Sequence, residues 1–162
     1  MGIFFVKHGG PKPNDKMAES AKFLKKFINL SNTFLLYSPD GMAFKSAMIM
    51  NEEFKLKKER IKKKKSLKVI KDYDGSRDHQ LMGFLICFAA EYYDLDPDII
   101  AVSHEGLIRK TLNAFYDIYT PDKSLVYKCR KPKEPIFKTT IERGSIHLID
   151  TRKEEIQKIF TP

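Results

Sequence analysis

The sequence lacks the features that mark several classes of protein. It contains two cysteines, Cys87 and Cys129, and no tryptophan. The cysteines have neither the spacing of metal ligands nor the pattern of a disulfide framework, so we expect two free thiols. No uninterrupted apolar stretch approaches the ~20 residues that a membrane-spanning helix needs. We therefore expect a protein that makes no membrane contact, and nothing in the sequence calls for a metal or another cofactor.

Two further absences concern targeting and nucleotide binding. The first residues, Met1 to Val6, form a short apolar run without a basic leader or a small-residue cleavage site, which argues against a secretory signal. No apolar run is followed by the glycine-rich phosphate fingerprint of nucleotide-binding proteins, because Gly9 and Gly10 alone are too short. We expect an intracellular protein, cytoplasmic or nuclear, and disfavour a nucleotide-binding fold.

Negative charge is scarce relative to positive charge. The chain has 30 lysines and arginines against 21 acidic residues, a formal net charge of +9, which favours negatively charged partners. The run from Lys55 to Lys71 holds much of this excess. Its one neighbouring aromatic residue is Phe54, directly before it, and such runs are usually solvated helix ends or loops. Contact with nucleic acid or an acidic protein is therefore a secondary hypothesis. Its candidate polyanion-binding residues are Lys62, Lys63, Lys64 and Lys65.

The size and hydrophobic pattern predict one α/β domain. At 162 residues, 42% of them apolar, the chain fits a single core over residues 1–162. Apolar runs of strand length alternate with segments of helical periodicity. The predicted strands are Ile3 to Val6, Thr33 to Tyr37, Leu67 to Ile70, Ile99 to Val102, and a hairpin of Ile146 to Ile149 with Ile156 to Phe160. The predicted helices are Lys16 to Leu30, Met42 to Phe54, Gln80 to Tyr93 and Leu107 to Tyr119.

This alternation indicates a three-layer αβα sandwich with a mostly parallel central sheet and an antiparallel edge. In such folds, the loops at the carboxyl ends of the strands form the functional site. His8 and His104 both follow apolar strands at such ends, whereas His79 and His147 lack this context and are expected to be surface or packing residues. The two strand-end histidines are therefore the candidates for chemistry.

Three segments carry a resemblance to a known family. The segment from Ile3 to Gly9, Ile-Phe-Phe-Val-Lys-His-Gly, resembles the signature strand and Arg-His-Gly of the histidine phosphatase (phosphoglycerate mutase-like) superfamily. Ser38 and Pro39 are similar to its Ser-Pro turn after the second strand. The segment from Val102 to Arg109 resembles its second-histidine segment, normally Val-Ser-His-Gly-Gly-x-Ile-Arg. The order and spacing agree over nearly the whole chain, as in small single-domain members of that superfamily.

The resemblance implies a metal-independent phosphohydrolase that acts on a phosphomonoester or a phosphohistidine, on a small molecule or a phosphoprotein. By this resemblance His8 is the nucleophile that forms a phosphohistidine, and His104 donates hydrogen bonds to the transferring group. Asp72 is the candidate proton donor to the leaving group, with Asp74 nearby as a substitute. The implied phosphate-binding residues are Lys7, Asn14, Gly9 and Glu105.

The departures from the family pattern weaken the expected activity. Lys7 replaces an arginine and cannot make the same bidentate contact with phosphate. Met42 stands where a second arginine is expected, and Lys71 stands where the acid is expected. Losing one well-placed donor to a developing anion costs about 2.7 to 4 kcal/mol in the barrier. We predict slow turnover, or alternatively an inactive scaffold or basic binding module in a nucleic-acid-associated or multiprotein assembly.

Overall fold

A mixed sheet forms the centre of the molecule. The computed structural model describes residues 2–10, 15–68, 91–92, 95–119, 141–150, 153 and 155–162. Within these residues six strands form one sheet in the order β3-β2-β4-β1-β5-β6. The first four run parallel, while β5 is antiparallel to β1 and β6 is antiparallel to β5. The strands are β1 (Gly2–Lys7), β2 (Thr33–Tyr37), β3 (Ile61–Lys63), β4 (Asp98–Ser103), β5 (Ile146–Asp150) and β6 (Glu155–Phe160).

Helices cover both faces of this sheet. The helices are α1 (Asp15–Leu24), α2 (Gly41–Phe54) and α3 (Glu105–Tyr119). Successive side chains of a strand point to opposite faces, so Phe4 packs with α1 and α2 while Phe5 packs with α3. The central strands are apolar on both sides because both faces are buried. The predicted α/β sandwich with a mostly parallel sheet and an antiparallel edge is confirmed.

The register of the central strands determines where the strand-end loops lie. Lys7 at the end of β1 is opposite Ser103 at the end of β4, and Tyr37 at the end of β2 is opposite Val102. The amide of Ser38 donates to the carbonyl of Val102 at 3.0 Å. The loops that follow β1, β4 and β2 therefore begin side by side at one edge of the sheet.

The first predicted helix is too long. It ends at Leu24, and Phe27, which the periodicity places on the buried face, is 63% exposed. The side chain of Asn29 accepts hydrogen bonds from the amide and hydroxyl of Ser31 and begins a short 3₁₀ turn. Directly after Leu24 the backbone tightens, because the amides of Lys26 and Phe27 donate to carbonyls three residues earlier, at 3.1 and 2.8 Å.

The lysine-rich run is more structured than expected. It contains 3₁₀ turns at Lys58–Arg60 and Lys65–Leu67, and between them the edge strand β3. Leu67 lies in a 3₁₀ turn and is fully buried, so the prediction of a strand starting there is wrong. The rest of that predicted strand, the helix from Gln80 to Tyr93 apart from its residues 91–92, and both cysteines lie outside the described residues. Among the residues that are described, no helix is long and apolar enough to span a bilayer.

Candidate active site

Two histidine rings meet at the carboxyl edge of the sheet. His8 follows β1 and His104 follows β4, and their ring centroids are 4.6 Å apart with an interplanar angle of 71°. The amide of His8 donates to the carbonyl of Ser103 at 3.0 Å, which holds the two loops together. The neighbouring parallel strands thus bring together two side chains that are 96 positions apart in the sequence. The sequence predicted this pair.

The surroundings of His8 keep its ring neutral. Burial lowers the pKa of His8 to about 4, and the nearby positive charges of His104, Lys7 and Arg143 act in the same direction, while Asp40 opposes them. The amide of Gly10 donates a hydrogen bond to Nδ1 of His8 at 3.2 Å. Because Nδ1 accepts this bond, the proton of the neutral ring is on Nε2. At neutral pH His8 is therefore an uncharged imidazole with a fixed tautomer.

His104 is bound to a carboxylate that sequence reasoning missed. Nε2 of His104 lies 2.7 Å from Oδ2 of Asp40, and the hydroxyl of Ser38 donates to the same oxygen at 2.7 Å. The hydrogen bond from Ser38 is the main cause that lowers the pKa of Asp40; burial opposes it, and the hydrogen bond with His104 adds to the lowering. Asp40 precedes α2 but makes no side-chain cap bond to it. The available signal was its position two residues after the serine of the Ser-Pro turn.

Lys7 and Glu105 bind each other. Nζ of Lys7 lies 2.8 Å from Oε2 of Glu105 and also donates to the carbonyl of Ile141. Oε1 of Glu105 accepts from the amide of Ile141 at 3.3 Å, and Nη1 of Arg109 is 3.9 Å away. Although burial opposes it, the hydrogen bond from Lys7 lowers the pKa of Glu105. Both residues were expected on phosphate, and in this structure their charges neutralise each other beside the histidines.

The glycines after His8 have specific partners. The amide of Gly9 donates to the hydroxyl of Ser46, a buried residue of α2, at 2.9 Å. Gly10 has a φ of +94°, a conformation that glycine adopts without strain. Ser46 had no motif to mark it, because its proximity to the His8 loop arises from the packing of α2 on the sheet. The backbone donors of this loop are therefore engaged by Ser46 and His8.

A third residue that sequence reasoning missed, after Asp40 and Ser46, is Arg143. Its guanidinium lies over Gly10, since a Cβ atom built on that glycine would come 3.0 Å from Cζ of the arginine and 3.1 Å from Nη1. Arg143 belongs to the turn that precedes β5. No family motif covers this turn, and only the pairing of β5 with β1 brings it to the site. Met42, where an arginine was expected, is 37% exposed in the first turn of α2.

Several predicted residues lie away from the histidine pair or outside the described residues. Asn14, Asp72, Asp74 and His79 are outside them. His147 is 3% exposed on β5, opposite Phe5, and burial followed by the charge of Lys158 lowers its pKa to about 4. It packs in the core, in line with the expectation for that residue. Among the described side chains, no group of three or more histidines, cysteines or carboxylates is placed to hold a metal ion.

The four candidate polyanion-binding lysines lie in and directly after β3. Nζ of Lys62 is 5.2 Å from the ring centroid of Phe34 and 5.6 Å from that of Tyr92. Lys64 pairs with Glu91 at 2.5 Å and lies 5.6 Å from the Tyr92 ring. Lys63 and Lys65 are exposed. Two of these lysines are therefore held by aromatic rings or a carboxylate, and two face solvent.

Comparisons with known proteins identify the fold. No protein-family model and no curated protein matches the sequence. A mutant phosphoserine phosphatase from Entamoeba histolytica, in complex with phosphoserine, matches with a TM-score of 0.64 at 12% identity, over 96% of this chain and 93% of that one. The protein histidine phosphatase SixA, complexed with tungstate, matches with a TM-score of 0.62 at 13% identity, over 99% and 95%. The alpha-ribazole phosphatase from Shigella flexneri matches with a TM-score of 0.60 at 14% identity, over 98% and 95%.

Proposed function

From the premise that the chain has the fold of the histidine phosphatase superfamily, we propose that it is a phosphohydrolase that removes a phosphoryl group through a covalent intermediate on His8. The substrate class is a phosphomonoester or a phosphohistidine. The observation that carries the proposal is the contact of His8 with His104, with ring centroids 4.6 Å apart. Two imidazoles that touch at the carboxyl ends of adjacent parallel strands are placed to contact the same phosphoryl group.

The low pKa of His8, about 4, suits a nucleophile because the attacking nitrogen needs an unprotonated lone pair. Before the first step the proton of His8 moves from Nε2 to Nδ1, and the hydrogen bond from Gly10 to Nδ1 breaks. Nε2 then forms a bond to phosphorus, the bond from phosphorus to the leaving oxygen breaks, and that oxygen takes up a proton. In the second step water attacks phosphorus, the P–N bond breaks, and inorganic phosphate leaves. No redox partner takes part in either step.

The proton for the leaving oxygen has two candidate sources. Asp72 keeps its predicted role as the acid. The second source is His104, which retains its bond to Asp40 through Nε2 and, when protonated, donates from Nδ1. A carboxylate that orients a histidine is the arrangement by which many hydrolases use imidazole in proton transfer. We propose Asp40 as a positioning residue for His104.

A second candidate function, an anion-binding module without turnover, is favoured by the resting hydrogen bonds. The proton of His8 is on Nε2 because Gly10 donates to Nδ1, so attack requires the proton to move to Nδ1 and the Gly10 bond to break. Lys7 is neutralised by Glu105. These features slow phosphoryl transfer to His8 more than they weaken the binding of an anion. In this alternative the exposed lysines beside β3 bind nucleic acid or an acidic protein.

Steady-state hydrolysis separates the two functions. The protein is incubated with p-nitrophenyl phosphate in the presence of a chelator, alongside His8→Asn and His104→Asn. Hydrolysis that His8→Asn abolishes and His104→Asn reduces about a hundredfold supports the phosphohydrolase. A Lys153→Ala variant, altered in an exposed residue of the β5–β6 turn, serves as the preparation control. Equal rates for wild type and His8→Asn contradict catalysis by His8.

A further inference from the structure

The pocket around His8 lacks a free cation at the two positions where the family pattern has arginines. Lys7 uses its ammonium on the carboxylate of Glu105 and on a backbone carbonyl. Met42 offers neither charge nor a donor. A phosphoryl group has three equatorial oxygens, and planar guanidinium groups bind such oxygens in pairs. A guanidinium from elsewhere in the chain would therefore supply the paired donors that these two positions do not.

Arg143 places a guanidinium over the loop that carries His8. A Cβ atom at Gly10 would lie within 3.0 to 3.3 Å of Cζ, Nη1 and Nε of this arginine. The absence of a side chain at Gly10 is what allows the close approach, and the φ of +94° there favours glycine as well. The same glycine donates its amide to Nδ1 of His8. The guanidinium thus lies over Gly10, whose amide is hydrogen-bonded to the imidazole of His8.

The backbone of Arg143 is fixed by its neighbour. The amide of Gly144 donates to the carbonyl of Lys7 at 2.9 Å, and the hydroxyl of Ser20 donates to the carbonyl of Gly144 at 2.6 Å. Gly144 has a φ of +78°, and a Cβ atom there would meet Ser20 Oγ and Pro162 Cγ at 2.9 Å. The turn is therefore attached to the end of β1 and to α1 at once. A side chain on such a fixed turn loses little backbone freedom when it binds a ligand.

The charge of Arg143 is available to an anion. Within the described part of the chain, no carboxylate lies within ion-pair distance of its guanidinium, in contrast to Lys7. The residue is exposed, so an anion from solvent can reach its guanidinium. Its charge already acts on the ring, since Arg143 contributes to the lowered pKa of His8 after burial, His104 and Lys7.

We infer that Arg143, carried on the turn before β5, is a phosphate-binding residue of the His8 pocket and supplies the guanidinium that Lys7 and Met42 do not. The inference deepens the proposed function and rests on it only for the location of the phosphate site. It concerns the binding of a phosphate dianion, not the rate of its transfer. Arg143 would contact the equatorial oxygens of a phosphoryl group bound at His8 beside His104.

The test is an NMR titration of the full chain with inorganic phosphate. The ring signals of His8, assigned from their loss in His8→Asn, report binding in wild type, Arg143→Ala and Arg143→Lys. We expect Arg143→Ala to raise the Kd for phosphate about tenfold or more, because a hydrogen-bonded ionic contact is lost, and Arg143→Lys to restore part of the affinity. The charge-matched control Lys153→Ala, at the far end of β5, should leave the Kd unchanged.

Two results would overturn the inference. One is the same Kd for wild type and Arg143→Ala, and the other is no shift of the His8 signals by phosphate in the wild type. A second readout needs no ligand: Arg143→Ala should raise the pKa of His8 measured by NMR, and an unchanged pKa counts against the placement of the guanidinium. If phosphate binding depends on Arg143 but hydrolysis does not depend on His8, the proposed function is rejected and this inference stands. If hydrolysis depends on His8 but phosphate binding does not depend on Arg143, the proposed function stands and this inference is rejected.

Discussion

Oδ2 of Asp40 lies 2.7 Å from Nε2 of His104, on the ring that meets His8. The same oxygen accepts from Ser38, and these bonds keep the pKa of Asp40 low, so the carboxylate is ionised at neutral pH. An anion beside a phosphate site weakens phosphate binding, yet it also orients the imidazole and stabilises a proton on it. Asp40 therefore has opposite effects on binding and on proton transfer.

Replacing Asp40 by asparagine separates these effects. We expect Asp40→Asn to lower KM by removing the repulsion, and to lower kcat about tenfold or more for an alkyl phosphate, whose leaving oxygen needs a proton. For p-nitrophenyl phosphate, whose leaving group needs little assistance, kcat should change far less. Steady-state kinetics with both substrates measure the difference. An equal fall in kcat for both would show that Asp40 does not act through proton transfer.

Restoring the expected arginine should increase activity. Met42 is partly exposed in the first turn of α2, so Met42→Arg fits without repacking the core. One well-placed donor to a developing anion is worth roughly 2.7 to 4 kcal/mol, so we expect kcat to rise at least tenfold. Phe44→Arg, which adds the same group two residues along and about 200° around the helix, is the matched control. If Met42→Arg behaves like Phe44→Arg, the missing arginine does not limit turnover.

Stability should depend on pH through two histidines. The pKa of His8 and that of His147 are both lowered from 6.5 to about 4, in each case first by burial. Between these values the unfolded chain binds more protons than the folded one, so the free energy of unfolding falls as the pH drops from 6.5 towards 4. The two groups together contribute on the order of a few kcal/mol.

Urea unfolding at pH 6.5, 6.0, 5.5 and 5.0 measures this dependence above the range in which carboxylates titrate. His147→Gln removes one of the two groups, so the slope should fall by about half while the remaining slope reports His8. A free energy of unfolding that is constant over this range would contradict the burial assigned to both rings.

The exposed lysines beside β3 provide the test of polyanion binding. Lys62 and Lys64 interact with Tyr92 and Glu91, whereas Lys63 and Lys65 face solvent. We expect Lys63→Ser with Lys65→Ser to reduce the salt dependence of heparin affinity by about one to two units in the log–log slope. The charge-matched control replaces Lys26 and Lys153, both exposed elsewhere. Equal slopes for the two double variants would contradict polyanion binding by Lys63 and Lys65. Lysines at an edge strand also prevent pairing with other sheets, which would then be their role.

The sequence was sufficient for the parts of the fold that follow from continuous local patterns. The strand around Ile100 is apolar at every central position because both faces are buried, and such runs are recognisable without a structure. The strand β3 was not predicted, because its three residues include two lysines and its conformation comes from pairing with β2. The early end of α1 lies in a tightening of the backbone hydrogen bonds after Leu24, which the hydrophobic periodicity does not contain.

The site divides in the same way. His8 and His104 were predicted because each follows a strand, and the strand order brings strand ends together. Arg143 and Ser46 were not, because they reach the His8 loop through the antiparallel edge and the packing of α2. Glu105 was expected on phosphate, while its carboxylate lies on Lys7, a pairing that depends on side-chain reach rather than on sequence order.

The most direct test of the account is to trap the covalent intermediate. The protein is mixed with a ³²P-labelled phosphohistidine or phosphomonoester substrate, quenched in alkali within milliseconds to seconds, and digested for mass spectrometry. The account predicts an alkali-stable, acid-labile phosphoryl group on the peptide that carries His8, absent in His8→Asn and longer-lived in His104→Asn. The contrary result is that His8 carries no label while His8→Asn hydrolyses the substrate as fast as the wild type.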